Sequence, residues 1–291
     1  MGGGNYSYEA HKAITEQRSS LPVQQVFKQQ KCHPLMNPHG VKFRECRDGA
    51  DHPSSLGIVF ALDVSGSMGQ IPEQIARKEL PGFMKTLLDT GVKDPQVLFC
   101  ALSDVASNEA PLQVGQFEST AELMDQWLTW CWLEGGGRTP YESYELAMYF
   151  FARHTAMDCW EKRKKKGYLF ITGDEPSYDA VKKEEVEGII GDKIPENVPL
   201  KKIVEELGRT FNSYLLIPDP GRAKNVGKFW TDLFGSRTIT MQSPADTCAV
   251  AAGLVALGER VVPDVPALAR RMIDNGLAKA RVDAVVKALN G

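Results

Sequence analysis

The sequence predicts an α/β protein whose core is a doubly wound, mostly parallel sheet flanked by helices on both faces. Three observations carry that reading. Short, continuously apolar, β-branched runs recur along the chain, as expected of parallel strands buried on both sides. Stretches with helical spacing of apolar residues lie between them. The regular alternation of the two, at these lengths, fits right-handed crossovers.

Taken in order, residues 1–55 are polar and rich in His, Pro and Gln, with breakers at Pro22, Pro34, Pro38 and Pro53, and read as an arm lying on a core. The core domain is expected over residues 56–258. It opens with the run Gly57-Ile58-Val59-Phe60-Ala61-Leu62, expected to be a central strand. Ile75, Leu80, Phe83, Met84, Leu87 and Leu88 then mark a helix over 71–89. Further strands are predicted at 97–102, 168–172, 211–217 and, more weakly, 237–240, with a short antiparallel edge strand within 111–117. Helices are predicted over 121–132, 141–159, 200–208, 224–234 and 244–257. Residues 259–291 hold two amphipathic pieces broken at Gly276, which read as a helical hairpin on the domain or a detachable partner-binding tail.

Composition narrows the function. The chain has 291 residues, 43% hydrophobic and 24% charged, enough for a sizeable core and typical of globular domains. A net charge of −3 and a pI near 6.0 give no general nucleic-acid-binding surface. No apolar run is long enough to span a bilayer, and the first 20 residues contain no secretory apolar region. Myristoylation after Met1-Gly2 would want Ser or Thr where Tyr6 stands. Six widely and irregularly spaced cysteines fit reduced, buried thiols, so the expected compartment is the cytoplasm, with neither nucleic acid nor membrane as partner.

In an open α/β sheet, ligands sit outside the carboxyl ends of the strands, so the residues that follow each strand matter most. The first strand is followed by Asp63-Val64-Ser65-Gly66-Ser67-Met68-Gly69, one carboxylate and two hydroxyls at alternate positions with glycines for a tight turn. Ser103-Asp104 follows the second strand, and Gly173-Asp174-Glu175 follows the strand at 168–172. The loop Gly135-Gly136-Gly137-Arg138-Thr139-Pro140 precedes a helix. The donors are all oxygen, with no His or Cys, which suits Mg²⁺, Mn²⁺ or Ca²⁺ and disfavours Zn²⁺. A bare strand-to-helix turn, with Asp63 and Ser65 bonding only to backbone N–H groups, is the plainer alternative.

The pattern Asp63-x-Ser65-x-Ser67 after a buried strand, the glycine-rich loop reaching Thr139, and Asp174 after a later strand resemble the von Willebrand factor A domain, of the intracellular bacterial or phage type. The resemblance covers roughly residues 55–257. It implies a metal-ion-dependent adhesion site in which Ser65, Ser67 and Thr139 hold a divalent ion directly or through water. Asp63 and Asp174 would supply the carboxylates. One position on the ion would be left for an Asp or Glu of a partner protein. Two departures leave choices open. Arg138 stands between the glycines and Thr139, so Glu142 is a second candidate to face the ion. The later strand ends Thr172-Gly173-Asp174-Glu175, so either carboxylate is available, Asp174 being preferred. Asp104 and Glu134 are candidate outer groups.

The expected function is therefore metal-dependent protein binding without catalysis. Intracellular relatives often act beside a hexameric AAA+ ATPase, recruiting its substrate; a scaffold in an assembly without an ATPase is the alternative. A phosphatase of the haloacid-dehalogenase type would need a second acid two residues after Asp63, where Ser65 stands. There is no phosphate-binding Gly-x-x-x-x-Gly-Lys-Ser/Thr string. Cys32, His33, His39, Cys46 and His52 share one window but match no familiar zinc module. The run Glu161-Lys162-Arg163-Lys164-Lys165-Lys166 reads as a solvated loop, with an acidic partner or nucleic acid as the other options. Trp127, Trp130 and Trp132 read as core and edge packing.

Overall fold

A computed structural model describes residues 4–66, 68, 70–137 and 139–291. Six strands form the main sheet: β1 (Leu56–Asp63), β2 (Pro95–Leu102), β3 (Leu112–Val114), β4 (Gly167–Thr172), β5 (Phe211–Ile217) and β6 (Thr238–Thr240). Their spatial order is β3-β2-β1-β4-β5-β6, parallel throughout except β3, which runs antiparallel to β2 at the edge. Chain order thus reverses between β1 and β4, the switch point at which a doubly wound sheet opens a crevice. Every residue of β1, β2 and β4 is buried, which explains why their sequences are apolar without alternation.

The longer helices are α1 (Tyr8–Arg18), α2 (Leu80–Thr90), α3 (Ala121–Thr129), α4 (Tyr144–Arg153), α5 (Leu200–Thr210), α6 (Pro220–Phe234), α7 (Thr247–Gly258), α8 (Val265–Asp274) and α9 (Lys279–Asn290). One layer pairs α2 with α7, and the other pairs α4 with α5. The core runs across the sheet as a row of aromatic rings in register: Phe99, Phe60, Phe170 and Tyr214, with neighbouring centroids 5.7, 5.5 and 5.6 Å apart. Phe83 of α2 meets Phe60 edge-on at 5.1 Å.

Helix α7 is apolar on all sides, a composition that requires burial all round. The hairpin of α8 and α9 packs over it, with Leu268 and Leu289 filling the space beside Gly253. Of the two readings of residues 259–291, the structure places the helical hairpin on the domain. Arg281 ties α9 down, donating to Glu79 and to the Ala245 carbonyl.

Two sequence expectations are corrected. The helix expected over 71–89 comprises Gln70–Gln74, a π turn at Ile75–Glu79, and α2. Pro81 has no N–H to continue the α pattern, and the Leu80 N–H reaches back five residues to the Ile75 carbonyl. The helix expected over 141–159 ends at Arg153. There the chain becomes a strand, Thr155–Met157, because Arg44–Cys46 of the arm pairs beside it in parallel. The basic run is exposed, as expected of a solvated loop, and its charges are paired at the surface. Lys162 pairs with Asp158 (2.7 Å) and Asp48 (3.3 Å), Arg163 pairs with Asp48 (2.7 Å), and Lys165 pairs with Glu259. Hydrogen bonding from Arg163 holds the Asp48 carboxyl well below its usual range.

The N-terminal arm contains α1, which the breaker-rich sequence gave no sign of. Arg18 grips Asp125 of α3 through both guanidinium nitrogens (2.5 and 2.6 Å), and His33 stacks on Trp130 at 3.9 Å. All six cysteines are free. No helix among the described residues is long and apolar enough to cross a membrane.

Because Phe60 touches three other rings at the sheet's centre, Phe60→Ala should lower unfolding free energy by about 3–5 kcal/mol. Urea denaturation checks this; a loss below about 1 kcal/mol would show that the row is not packed as described.

Candidate metal centre

Asp63 ends β1 fully buried, and its two oxygens have different partners. Oδ1 accepts the Ser65 N–H at 2.8 Å, and Oδ2 accepts the Tyr144 hydroxyl at 2.6 Å. The Asp63 N–H donates to Thr172 Oγ1 at 3.2 Å, fixing the end of β1 to the end of β4. Tyr144 can reach Asp63 because residue 173 is glycine: a Cβ there would lie 2.7 Å from the Tyr144 hydroxyl. Trp230 of α6 backs Tyr144 edge-on at 5.1 Å and donates its indole N–H to the Glu175 carbonyl at 3.0 Å. Burial pushes the Asp63 carboxyl up to about 7 despite the Tyr144 and Ser65 hydrogen bonds, and nearby Asp174 adds to the rise.

Ser65 is buried, and its Oγ makes no hydrogen bond. Ser67 lies outside the described residues, as do Gly69 and Arg138. Asp174 is buried with both carboxylate oxygens free of hydrogen bonds, whereas Glu175 is half-buried beside it. Glu142 is 2% exposed, and its Oε2 is likewise unpartnered. Burial, followed by Asp63, Asp104, Asp174 and Glu175, pushes the Glu142 carboxyl up to about 9. Asp63, Asp104, Asp174 and Glu175 all lie within electrostatic reach of Glu142, and Asp63, Asp104 and Asp174 stand at or just past the carboxyl ends of β1, β2 and β4.

Thr139 stands at the rim and is held by Asp104, to which its hydroxyl donates at 2.9 Å. Asp104 also accepts from Tyr178 (2.9 Å), Ser107 (2.8 Å) and the Ala106 N–H (3.1 Å). Burial alone would raise the Asp104 carboxyl, but these donors outweigh it and keep it below its usual range. Asp104 is therefore a fully satisfied carboxylate that orients Thr139. With its proton given to Asp104 and one lone pair taken by the Tyr141 N–H at 3.2 Å, Thr139 Oγ1 keeps one lone pair. Glu134 accepts the N–H groups of Glu109 (2.8 Å) and Ala110 (3.1 Å), pinning that loop rather than facing the crevice. Gly136, at φ +113°, offers its carbonyl to the Gly66 N–H at 3.4 Å, so the glycine loop lies against the turn after β1.

The sequence reading missed two contributors. Tyr144 lies within a helix and reads as core, and Arg222, whose Nη1 is 3.3 Å from Asp174 Oδ2, belongs to the start of α6. Only its place just past the end of β5 marks Arg222 as a neighbour of the crevice. Among the described residues, no group of three or more His, Cys, Asp or Glu side chains is arranged to hold a metal by itself. A cation here would have to be held jointly with hydroxyls. The orphaned buried oxygens of Ser65, Asp174 and Glu142, all hard donors, fit such an ion.

No family model matches the sequence, and no curated protein matches it. Among solved structures, the chain is similar to the open conformation of the pilus adhesin SpaC from Lactobacillus rhamnosus GG, with a TM-score of 0.47 and 11% identity over 74% of this chain and 30% of that one. It is also similar to proximal thread matrix protein 1 from the mussel byssus, with a TM-score of 0.44 and 13% identity over 74% of this chain and 49% of that one. A von Willebrand factor type A protein from Catenulispora acidiphila gives a TM-score of 0.36 and 14% identity over 70% of this chain and 43% of that one. The chain spans less than half the length of each.

The buried carboxyls give a signed pH dependence. Asp63 rises from 3.8 to about 7 and Glu142 from 4.5 to about 9; Glu145, raised by burial against a Ser177 hydrogen bond, goes from 4.5 to about 8. The folded chain then holds protons that the unfolded chain has lost, so their contribution is complete below about pH 4 and disappears as pH rises through 7–9. In EDTA, the urea midpoint should be higher at pH 5 than at pH 9, and Glu142→Gln should flatten the difference. Equal midpoints in wild type would contradict the arrangement.

Proposed function

We propose that this chain is a non-enzymatic, cation-dependent protein-binding module. In this reading the crevice takes Mg²⁺, Mn²⁺ or Ca²⁺ and through it captures an Asp or Glu side chain of a partner protein. The supporting observation is the set of buried acceptors with no hydrogen bond: Ser65 Oγ, both oxygens of Asp174 and Oε2 of Glu142. Each orphan costs about 1–3 kcal/mol, and one shared cation would relieve them together.

Ser65, Ser67, Thr139 and Asp174 are the residues proposed to hold the ion, with Asp63 supporting Ser65 and Glu142 adjacent. The ion would supply Lewis acidity toward a carboxylate, kept high because hydroxyl ligands are neutral. The chain's own residues do the rest. Asp63 fixes the turn that carries Ser65, and Asp104 orients Thr139. Tyr141, 41% exposed and stacked on Tyr178 at 5.3 Å, gives the rim an aromatic surface for the partner. Recruitment of a substrate to an AAA+ ATPase in the cytoplasm belongs to the same proposal. A pull-down returning an ATPase in Mg²⁺ but not in EDTA would support it; an assembly without one would favour a scaffold.

Thermal melts in EDTA, Mg²⁺, Mn²⁺ and Ca²⁺ test the ion. At a hundredfold excess over Kd, a cation should raise Tm by roughly 5–10 °C in wild type. Asp174→Ala should abolish that rise, and no shift with any ion at millimolar levels would sink the proposal. The double variant Ser65→Ala, Ser67→Ala should keep the fold but lose Mg²⁺-dependent partner capture. Unchanged capture would rule out ligation through these hydroxyls.

A further inference from the structure

Among the described residues, the site's carboxylates have a single ion-pair partner. Arg222 Nη1 lies 3.3 Å from Asp174 Oδ2, while no ion pair is formed by Asp63, Asp104, Glu142 or Glu175. The Arg222 backbone is fixed: the Asp219 carboxylate caps α6 by accepting the N–H groups of Gly221 (2.7 Å) and Arg222 (3.0 Å). Its side chain is not, being 42% exposed and forming no side-chain hydrogen bond. Asp174, by contrast, is 1% exposed at its side chain and has no hydrogen-bond donor. A partly exposed guanidinium on a capped helix thus lies against a buried carboxylate.

We propose that Arg222 is the crevice's internal counter-cation, occupying Asp174 when no divalent ion does and having to leave it for the ion to bind. The inference rests on the functional reading above and adds its regulation. A divalent ion and a guanidinium cannot both lie against the same Asp174 oxygen without strong like-charge repulsion in a poorly solvated crevice. Ion binding therefore displaces Arg222 toward solvent, where a long, half-exposed side chain loses little. The pair sets a threshold, so that the site fills only at ion concentrations able to outcompete Arg222. By linkage, whatever stability the pair gives the ion-free chain is subtracted from ion affinity.

The test is calorimetric titration of the full chain with Mn²⁺ or Mg²⁺ alone, in wild type, Arg222→Gln and Arg222→Lys, beside melts in EDTA. Arg222→Gln should bind the ion roughly three- to tenfold more tightly than wild type. Its Tm should fall below wild type in EDTA and rejoin it at saturating ion. Arg222→Lys, retaining a charge, should lie between. Equal ion affinity in wild type and Arg222→Gln would overturn the counter-cation while leaving the metal site standing. Absence of binding in both would overturn both. Binding in Arg222→Gln but not in wild type would show the threshold at its strongest.

Discussion

The hydrogen bond from Tyr144 to Asp63 is the contact on which the rest of the site depends. It places a phenol from one helical layer against a carboxylate at the end of the central strand, where burial otherwise disfavours charge. To make it, the chain needs a glycine at 173 and a large ring, Trp230, behind the phenol. Trp230 in turn holds the backbone of Glu175, next to Asp174. One hydrogen bond thereby ties α4 to the end of β1, and through Trp230 the same contact brings in α6 and the segment after β4.

That arrangement concentrates negative charge at the switch point. Two solutions coexist in one site. Asp104 is satisfied by hydroxyl and N–H donors and stays ionised without help. Asp174 has no such donors and lies against Arg222. The contrast separates a carboxylate built to position a neighbour from one left open to a counter-ion, a distinction that residue type alone does not reveal.

The sheet was legible because β1, β2, β4 and β5 are apolar enough to leave one assignment, and the oxygen donors after β1 and β4 stand out for the same reason. The helix break at Arg153 was not legible, since it depends on Arg44–Cys46 of the arm arriving from more than a hundred residues away. Helix α1 was hidden because its amphipathic signal is weak and its anchor, the Arg18–Asp125 pair, is a distant contact. Within the site, the Asp-x-Ser-x-Ser string pointed to Asp63 and Ser65, but the partners that decide their state, Tyr144 and Arg222, carry no local pattern. The basic run at 162–166 shows the same limit: apart from the local Asp158, its acidic partners sit at positions 48 and 259, beyond any local reading of charge.

The all-apolar helix Thr247–Gly258 has a consequence for how the chain is made. Its outer side is covered by residues 265–290, which leave the ribosome after it. At ~5–20 residues per second, the stretch from 259 to 290 takes about 2–6 s to synthesise. For that interval the nascent chain carries a complete sheet with one uncovered oily surface, which neither the sheet nor α2 can hide. The hairpin is therefore the step that closes this surface, and any pause in translating it prolongs the time in which the chain must be shielded from its neighbours on the same message.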